Sequence, residues 1–114
     1  MQAGEIVLVD FPFSNQQGSK LRPALVLARL PGEHEDFLVC MISTRVVNAV
    51  DNFDEMIMDH DSDFVETGLK SSSVIRLGRL HVVELPLVRG TIGAISQSRL
   101  DGIRVRLGSW LSNT

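Results

Sequence analysis

Apolar residues occur in short runs separated by polar segments that contain glycine and proline, a pattern typical of a chain built mainly from β-strands. Residues 6–11 form the first run and residues 24–28 the second. The segment between them, residues 12–21, contains proline, serine, asparagine and glycine and predicts a loop. Because a residue that precedes proline favours extended backbone, Arg22 is predicted to leave this loop in a strand-like conformation.

Further patterns predict the rest of the sheet. Residues 37–43 are apolar at successive positions, so this strand is predicted to be buried on both faces and central. Residues 71–84 form the longest strand pattern, and Gly78 within it predicts a bulge or a bend. Residues 56–58 and 90–95 predict two shorter strands.

The C-terminal segment, residues 96–111, follows a helical period instead. Apolar side chains recur at the spacing of one helix face, at Leu100, Ile103, Leu107 and Leu111, with Trp110 beside them. Ser96 is a suitable N-cap for this helix. Several strands followed by one helix predict a mainly β protein, a small antiparallel barrel with the helix packed on it, in a single domain of residues 1–114.

Charge is distributed unevenly along the chain. The formal net charge is −3, which by itself argues weakly against a nucleic-acid partner. Seven acidic residues and no basic ones lie within residues 46–69, whereas the rest of the chain has 11 basic and 7 acidic residues, a net charge of +4. Outside that stretch a basic surface is therefore available for an anionic ligand.

Composition also bears on location and redox chemistry. Hydrophobic residues make up 44% of the chain and charged residues 22%, as in globular proteins. No apolar run reaches the length of a membrane span and the N-terminus lacks the features of a signal peptide, so we expect a cytoplasmic protein without membrane association. The single cysteine, Cys40, lies in an apolar run and is predicted to be buried, without an internal disulfide.

The strand sequences carry motifs beyond their periodicity. Residues 4–13 read GEIVLVDFPF and residues 18–27 read GSKLRPALVL. Together they resemble the opening of the MazF/PemK toxin family, in which a first strand leads through a glycine-containing loop to an R-P-A-x-V-L strand. Residues 42–44 (Ile-Ser-Thr) correspond to a family strand that ends in Thr or Ser, and residues 73–77 resemble the S-V-I-R-L strand of PemK-like members. The resemblance spans nearly the whole chain and implies an SH3-like β-barrel with a C-terminal α-helix, a homodimer and a cognate antitoxin partner.

The resemblance implies a toxin of a type II toxin–antitoxin system that inhibits growth by cleaving single-stranded RNA, mRNA included, without a metal or another cofactor. A ribose 2′-OH attacks the adjacent phosphate, and the five-coordinate phosphorane that forms carries two negative charges. Arg22 corresponds to the family's catalytic arginine, and its planar guanidinium can hold two phosphate oxygens. Because arginine stays protonated in proteins, we expect Arg22 to stabilise charge rather than to transfer a proton. Operator DNA is expected to be bound only through the antitoxin.

Ser43 corresponds to the family's catalytic hydroxyl, which both donates and accepts hydrogen bonds and can orient the reacting groups. Thr44 is the alternative, because a shift of one residue in the comparison exchanges the two. The alternation of side chains along a strand predicts that Ser43 and Thr44 face opposite ways, so that only one of them points at the phosphate.

The remaining candidate substrate-binding residues come from the loop, the end of the third strand and the strand at residues 71–84. They are Gly18, Ser19, Lys20, Thr44, Arg76, Arg79 and His81. Strand parity places Arg76 and Arg79 on opposite faces unless the bend predicted between them intervenes. His81 stands where many family members have arginine, a difference that either alters substrate recognition or is tolerated.

The sequence bears on two other catalytic devices, a general base in the loop and a metal site. Gln16 and Gln17 stand in the loop region where some family members have glutamate, so the general base is not identified. Residues 59–63 (Asp-His-Asp-Ser-Asp) are the densest set of metal-ligand types, but they lack the glycine and the terminal glutamate of a calcium loop. We therefore expect no metal site.

Two alternative functions remain open on the sequence. One is a non-enzymatic toxin of similar fold that binds a topoisomerase, which would not need Arg22 and Lys20 beside the loop. The other is a small nucleic-acid-binding barrel, a class that usually displays stacking aromatic side chains. The chain has no tyrosine, one tryptophan and five phenylalanines mostly in or beside apolar runs, which favours the ribonuclease interpretation.

Overall fold

The chain folds into an antiparallel sheet with a C-terminal helix packed on it, which confirms the predicted mainly β architecture. The computed structural model describes residues 1–12 and 19–114. The strands and α-helices follow in the order β1 (Glu5–Pro12), β2 (Ser19–Arg29), β3 (Asp36–Ser43), β4 (Glu55–Ile57), α1 (Phe64–Thr67), β5 (Ser73–Glu84), β6 (Val88–Ala94) and α2 (Gln97–Ser112). Short 3₁₀ turns occupy Val46–Asn48 and Leu85–Leu87.

The six strands are ordered β4-β5-β3-β2-β1-β6. β3 lies between β5 and β2, which confirms its predicted central position. β2 begins at Ser19, so the prediction of a loop was wrong for the last residues of that segment. Lys20 and Leu21 pair with Phe11 and Asp10 of β1, and this pairing extends the hairpin through residues whose composition alone does not indicate a strand.

The sheet buries apolar side chains on both faces, because successive residues of a strand point to opposite sides. The first cluster joins the strands to α2 and consists of Ile6, Leu25, Leu27, Cys40, Ile42, Ile57, Ile75, Leu77, Ile95, Leu100, Ile103 and Leu107. The second cluster consists of Val7, Val9, Ala24, Val26, Phe37, Val39 and Val83. Each fully buried aliphatic side chain of this size contributes about 1.5–3 kcal/mol relative to an exposed one.

α2 begins where its sequence predicts, because the Ser96 hydroxyl accepts a hydrogen bond from the Arg99 N–H at 3.2 Å. Its predicted face is buried at Leu100, Ile103 and Leu107. Leu111 is 57% exposed, so its predicted burial was wrong. In this last turn the inward contact is made by Trp110 instead, whose ring meets that of Phe53 edge-on with 5.4 Å between centroids.

The two edge strands of the described sheet, β4 and β6, are linked by α1 rather than by a ladder of hydrogen bonds. α1 follows β4 and packs against β6 so closely that two glycines are required. A Cβ atom at Gly93 would overlap the backbone of Glu66 and Thr67, and one at Gly68 would overlap the carbonyl of Ile92. Gly68 also has a φ of 71°, a left-handed conformation that glycine adopts without strain. The six described strands thus form a barrel-like sheet that no hydrogen-bonded ladder closes between β4 and β6.

The bulge predicted in the longest strand is present. The pairing of β3 with β5 shifts between Cys40 and Met41, so residues 77–79 stand outside the ladder. The Asp54 carboxylate, whose side chain is 2% exposed, accepts a hydrogen bond of 2.9 Å from the first amide of this bulge and one of 3.1 Å from Nε of Arg76. A buried carboxylate thus satisfies the backbone that the bulge leaves without a strand partner.

Candidate active site

A cavity of about 390 Å³ opens where β2 begins and β3 ends. Its volume lies in the usual range of small-ligand sites, about 300–1,000 Å³. One part of its lining is aliphatic and consists of Leu8, Pro23, Ile42, Leu69 and Ile92. The other part is polar and consists of Arg22, Ser43, Thr44, Arg45, Lys70, Ser71 and Ser73, with the backbone of Gly68. Both predicted catalytic residues, and the alternative hydroxyl Thr44, therefore line one cavity.

Strand register explains why Arg22 and Ser43 meet. Ala24 faces Met41 on the antiparallel ladder between β2 and β3, and the same register continued by two residues brings Arg22 level with Ser43. On its other side Arg22 pairs with Val9 of β1, so its backbone is held in the sheet. Residues level with each other on neighbouring strands have Cβ atoms about 5 Å apart, so Arg22 and Ser43 are neighbours across the two strands.

Ser43 and Thr44 both line the cavity, and β3 ends at Ser43. Which of the two hydroxyls points at the phosphate stays a prediction. The Ser43 hydroxyl oxygen accepts a hydrogen bond of 3.0 Å from the backbone N–H of Arg45. A hydroxyl that accepts one bond retains a proton to donate and a second lone pair, so this local bond orients Ser43 without exhausting it.

Only some of the candidate residues in and beside the loop are among the residues that the structure describes. Gly18, Gln16 and Gln17 lie outside the described residues, and Ser19 is described only as the first backbone position of β2. Lys20 is exposed on β2, opposite Phe11 of β1, and is absent from the described lining of the cavity. Its predicted phosphate contact stays a prediction.

The three candidates on β5 lie away from the described cavity lining. Arg76 forms the ion pair with Asp54 described above and supports the bulge, so its guanidinium has a structural partner. Arg79 is exposed at the end of the bulge, which replaces the simple alternation expected for the two arginines. His81 is exposed and its ring meets that of Phe11, with 5.2 Å between centroids.

Two cations that line the cavity, Arg45 and Lys70, were missed by sequence reasoning. They bracket the acidic stretch of residues 46–69, where the chain leaves the sheet after β3 and returns to it before β5. Because Ser43 pairs with Val74, the two ends of this excursion must lie close together. The bracketing of an acidic stretch by basic residues is the signal that could have found them, but only with the pairing of β3 and β5 known.

A cluster that we term the Arg99 clamp holds three of the seven acidic residues of this stretch. The guanidinium of Arg99 on α2 contacts Glu55 at 2.8 Å, Asp61 at 2.8 Å and Asp63 at 2.7 Å. A hydrogen bond from the Met58 N–H, together with Arg99, holds the pKa of Asp61 below its usual range, and Arg99 does the same for the pKa of Asp63. Asp63 and then Glu55 raise the pKa of Arg99, so Arg99, Asp61 and Asp63 are charged at neutral pH.

Burial decides the state of Cys40. Desolvation, with a smaller contribution from nearby Asp54, raises the pKa of the Cys40 thiol to about 12. The thiol is therefore protonated at neutral pH and is no nucleophile.

In the described parts of the chain, no group of three or more His, Cys, Asp or Glu residues is arranged to hold a metal ion. No helix within residues 1–12 and 19–114 has the length and apolar character needed to cross a membrane.

Comparison with known proteins identifies the family. Residues 2–111 match the family model described as PemK-like, MazF-like toxin of type II toxin–antitoxin system. A solved structure of the Mycobacterium tuberculosis toxin MazF-mt6 superimposes with a TM-score of 0.69 at 18% identity, over 95% of this chain and 96% of that one.

A second similar structure is the MazE-MazF complex from Deinococcus radiodurans, with a TM-score of 0.69 at 20% identity, over 98% of this chain and 96% of that one. A search among curated protein sequences gives no significant match. These structural likenesses support the shared fold, and the family match extends over almost every residue. The chain belongs to the PemK-like, MazF-like toxins of type II toxin–antitoxin systems.

Proposed function

We propose that this toxin is an endoribonuclease that cleaves single-stranded RNA, mRNA included, by attack of a ribose 2′-OH on the adjacent phosphate. The observation that carries this proposal is the cavity in which Arg22 lies with two hydroxyl side chains, Ser43 and Thr44. Neither a metal nor another cofactor is required for a reaction whose nucleophile belongs to the substrate itself.

Arg22 supplies the main electrostatic contribution. Its guanidinium presents two parallel N–H groups to the phosphorane oxygens, where negative charge develops in the transition state. Ser43 orients the 2′-OH or a phosphate oxygen through its hydroxyl. None of the described lining residues is a carboxylate or an imidazole, so we assign the proton acceptor to no residue.

The partners follow from the family. We infer that the toxin acts in the cytoplasm as a homodimer, that a cognate antitoxin neutralises it, and that operator DNA is bound only through that antitoxin. The Deinococcus radiodurans relative was solved as a MazE-MazF complex, which supports an antitoxin partner for this chain. Unpaired RNA is the expected substrate, because base edges are accessible to a protein only when they are unstacked.

The test is incubation of the purified toxin with a long RNA in EDTA, followed by mapping of both cut ends. We expect cleavage that leaves a 5′-hydroxyl and a 2′,3′-cyclic phosphate or a 3′-phosphate. The Arg22→Ala variant, purified identically, controls for contaminating nucleases. Ends with a 5′-phosphate, or cleavage that requires Mg²⁺, would contradict the mechanism, and a lack of any cleavage would favour a toxin that acts by binding.

A further inference from the structure

The cavity carries more positive charge than one catalytic arginine needs. Arg22, Arg45 and Lys70 all line it, and none of its described lining residues is acidic. A single phosphorane is served by one bidentate guanidinium. Two additional cations around the same cavity therefore indicate that it holds more than one phosphate.

Arg45 is placed by local backbone structure. Its N–H donates to the Ser43 hydroxyl at 3.0 Å, so the residue is tied directly to the proposed catalytic serine. The 3₁₀ turn Val46–Asn48 follows, in which the N–H of Asn48 donates to the carbonyl of Arg45 at 3.0 Å. The backbone that carries this guanidinium is thus hydrogen-bonded on both sides.

Lys70 is placed from the opposite direction along the chain. Thr67, which is fully buried, accepts a hydrogen bond of 3.2 Å from the N–H of Leu69 through its hydroxyl oxygen. Gly68 stands against the backbone of Ile92 in the contact that links α1 to β6. The segment that presents Lys70 is therefore anchored, although the lysine itself is exposed.

Four acidic residues of the 46–69 stretch form ion pairs with arginines outside the cavity lining. Asp54 pairs with Arg76, and Glu55 pairs with both Arg99 at 2.8 Å and Arg106 at 2.5 Å. Asp61 and Asp63 complete the Arg99 clamp, as described above. The net charge of −3 is thus compatible with a local field at the cavity that attracts anions.

We propose that Arg45 and Lys70 are RNA-binding residues that hold phosphates next to the one bound by Arg22, and that the aliphatic lining between them receives a base. This inference rests on the proposed ribonuclease function. Pro23, Leu69 and Ile92 offer apolar surface of the kind on which a splayed base packs, and Ser71 and Ser73 offer polar groups at its edge. Arg45 and Lys70 contribute to affinity for the substrate, and Arg22 to the chemical step.

Binding to a probe that cannot be cut separates these roles. The probe is a short single-stranded 2′-fluoro RNA of mixed sequence, which lacks the 2′-OH nucleophile. Its affinity is measured between about 50 and about 200 mM salt. For single strands, each phosphate contact contributes about 0.7 to the steepness with which the logarithm of the binding constant falls against the logarithm of the salt concentration. We expect Arg45→Gln and Lys70→Gln each to reduce that slope by about 0.7, and the double variant by about 1.4.

Two further variants serve as controls. Arg29→Gln removes the same unit charge from an exposed position at the far end of β2, opposite Phe37, and should leave the slope unchanged. Lys70→Arg keeps the charge and should show the same slope as the parent protein. With a cleavable RNA, Lys70→Gln and Arg45→Gln should raise KM several-fold and leave kcat close to that of the parent.

The outcomes distinguish this inference from the proposed function. If the parent cleaves RNA but the Arg45 and Lys70 variants change the slope no more than Arg29→Gln, the additional phosphate contacts are wrong and the ribonuclease stands. If the parent binds the probe with the predicted slopes but cleaves no RNA, the binding site is supported and the ribonuclease proposal fails. A fall in kcat with unchanged KM would also overturn the division of roles.

Discussion

At the scale of single residues, the position of Arg22 matters as much as its charge. Its backbone is paired with Val9 in the sheet, and Pro23, which follows it, favours the same extended conformation. A side chain on such a rigid base keeps its donors in place before the substrate arrives, which is the condition for electrostatic stabilisation of a transition state.

Substitution of Arg22 should therefore affect the chemical step. We expect Arg22→Ala to lower kcat about 10²–10³-fold, because one preorganised donor contributes about 3–4 kcal/mol. Arg22→Lys should restore little, since an ammonium supplies a point charge without the fork. Single-turnover cleavage of one RNA measures this, with thermal unfolding to verify the fold. Near-full activity of Arg22→Lys would show that only the charge matters.

The two hydroxyls in the cavity can be separated in the same assay. We expect Ser43→Ala to cost less activity than Arg22→Ala, because it removes one neutral hydrogen bond, and Ser43→Thr to be nearly silent because it keeps the hydroxyl. Thr44→Ala should be mild. If Thr44→Ala is instead the severe variant and Ser43→Ala is silent, the catalytic hydroxyl is that of Thr44.

At this scale the sequence predicts the cavity residues that lie in a family motif. It does not predict the residues that come to the cavity only through the pairing of strands. Arg22 and Ser43 stand in recognisable segments, and the structure brings them to one cavity. Arg45 and Lys70 have no motif, and they meet only because β3 and β5 are neighbours. Arg76 lies in the S-V-I-R-L motif, but its guanidinium is bound by Asp54. These two residues are 22 positions apart, so no local sequence pattern reveals their contact.

At the scale of elements, strands with clear apolar runs and the C-terminal helix were predictable, because burial of one face dictates their periodicity. The start of β2 was not, since Lys20 and Leu21 join the sheet through backbone pairing with β1. α1 was also missed, because four residues are too few to show a helical period. Its position is determined by the glycine contact with β6.

That contact predicts a sharp difference between two glycines of β6. Gly93→Ala should destabilise the protein by about 1–3 kcal/mol or more, as expected for an overpacked site, because the new Cβ would overlap the backbone of Glu66 and Thr67. Gly90→Ala is the matched control, since nothing lies within 4 Å of its Cβ position. Chemical denaturation of both variants measures the effect, and equal stabilities would show that α1 yields without cost.

The Arg99 clamp predicts how stability depends on pH. Because the folded state lowers the pKa of Asp61 and Asp63, their contribution is present above the ordinary Asp pKa of about 3.9 and is lost as pH falls through the lower folded values. We expect the parent to be more stable than Arg99→Gln at pH 7 and this difference to shrink towards pH 3. Thermal unfolding across that range is the measurement. A difference that does not change with pH would mean that the carboxylates do not contribute.

At the scale of the whole molecule, exposed apolar side chains bear on the oligomeric state. Apolar residues make up 44% of the sequence, and Leu21, Val82, Leu85 and Leu87 are exposed large hydrophobic side chains. We expect a homodimer, because such surface is stabilised when a second copy covers it. Sedimentation at micromolar concentration should give about twice the 12.6 kDa of one chain. A species at the monomer mass would contradict the dimer.

The excursion between β3 and β5 also divides the chain into two natural halves. A cut between residues 58 and 62 leaves Arg22, Ser43 and Arg45 on the first fragment and Lys70 on the second. The β3–β5, β4–β5 and β1–β6 ladders then join the two fragments. Neither fragment alone carries the whole cavity. The fold thus provides a position for split-protein design, in which the toxin is delivered as two pieces and the cavity forms only where the pieces meet.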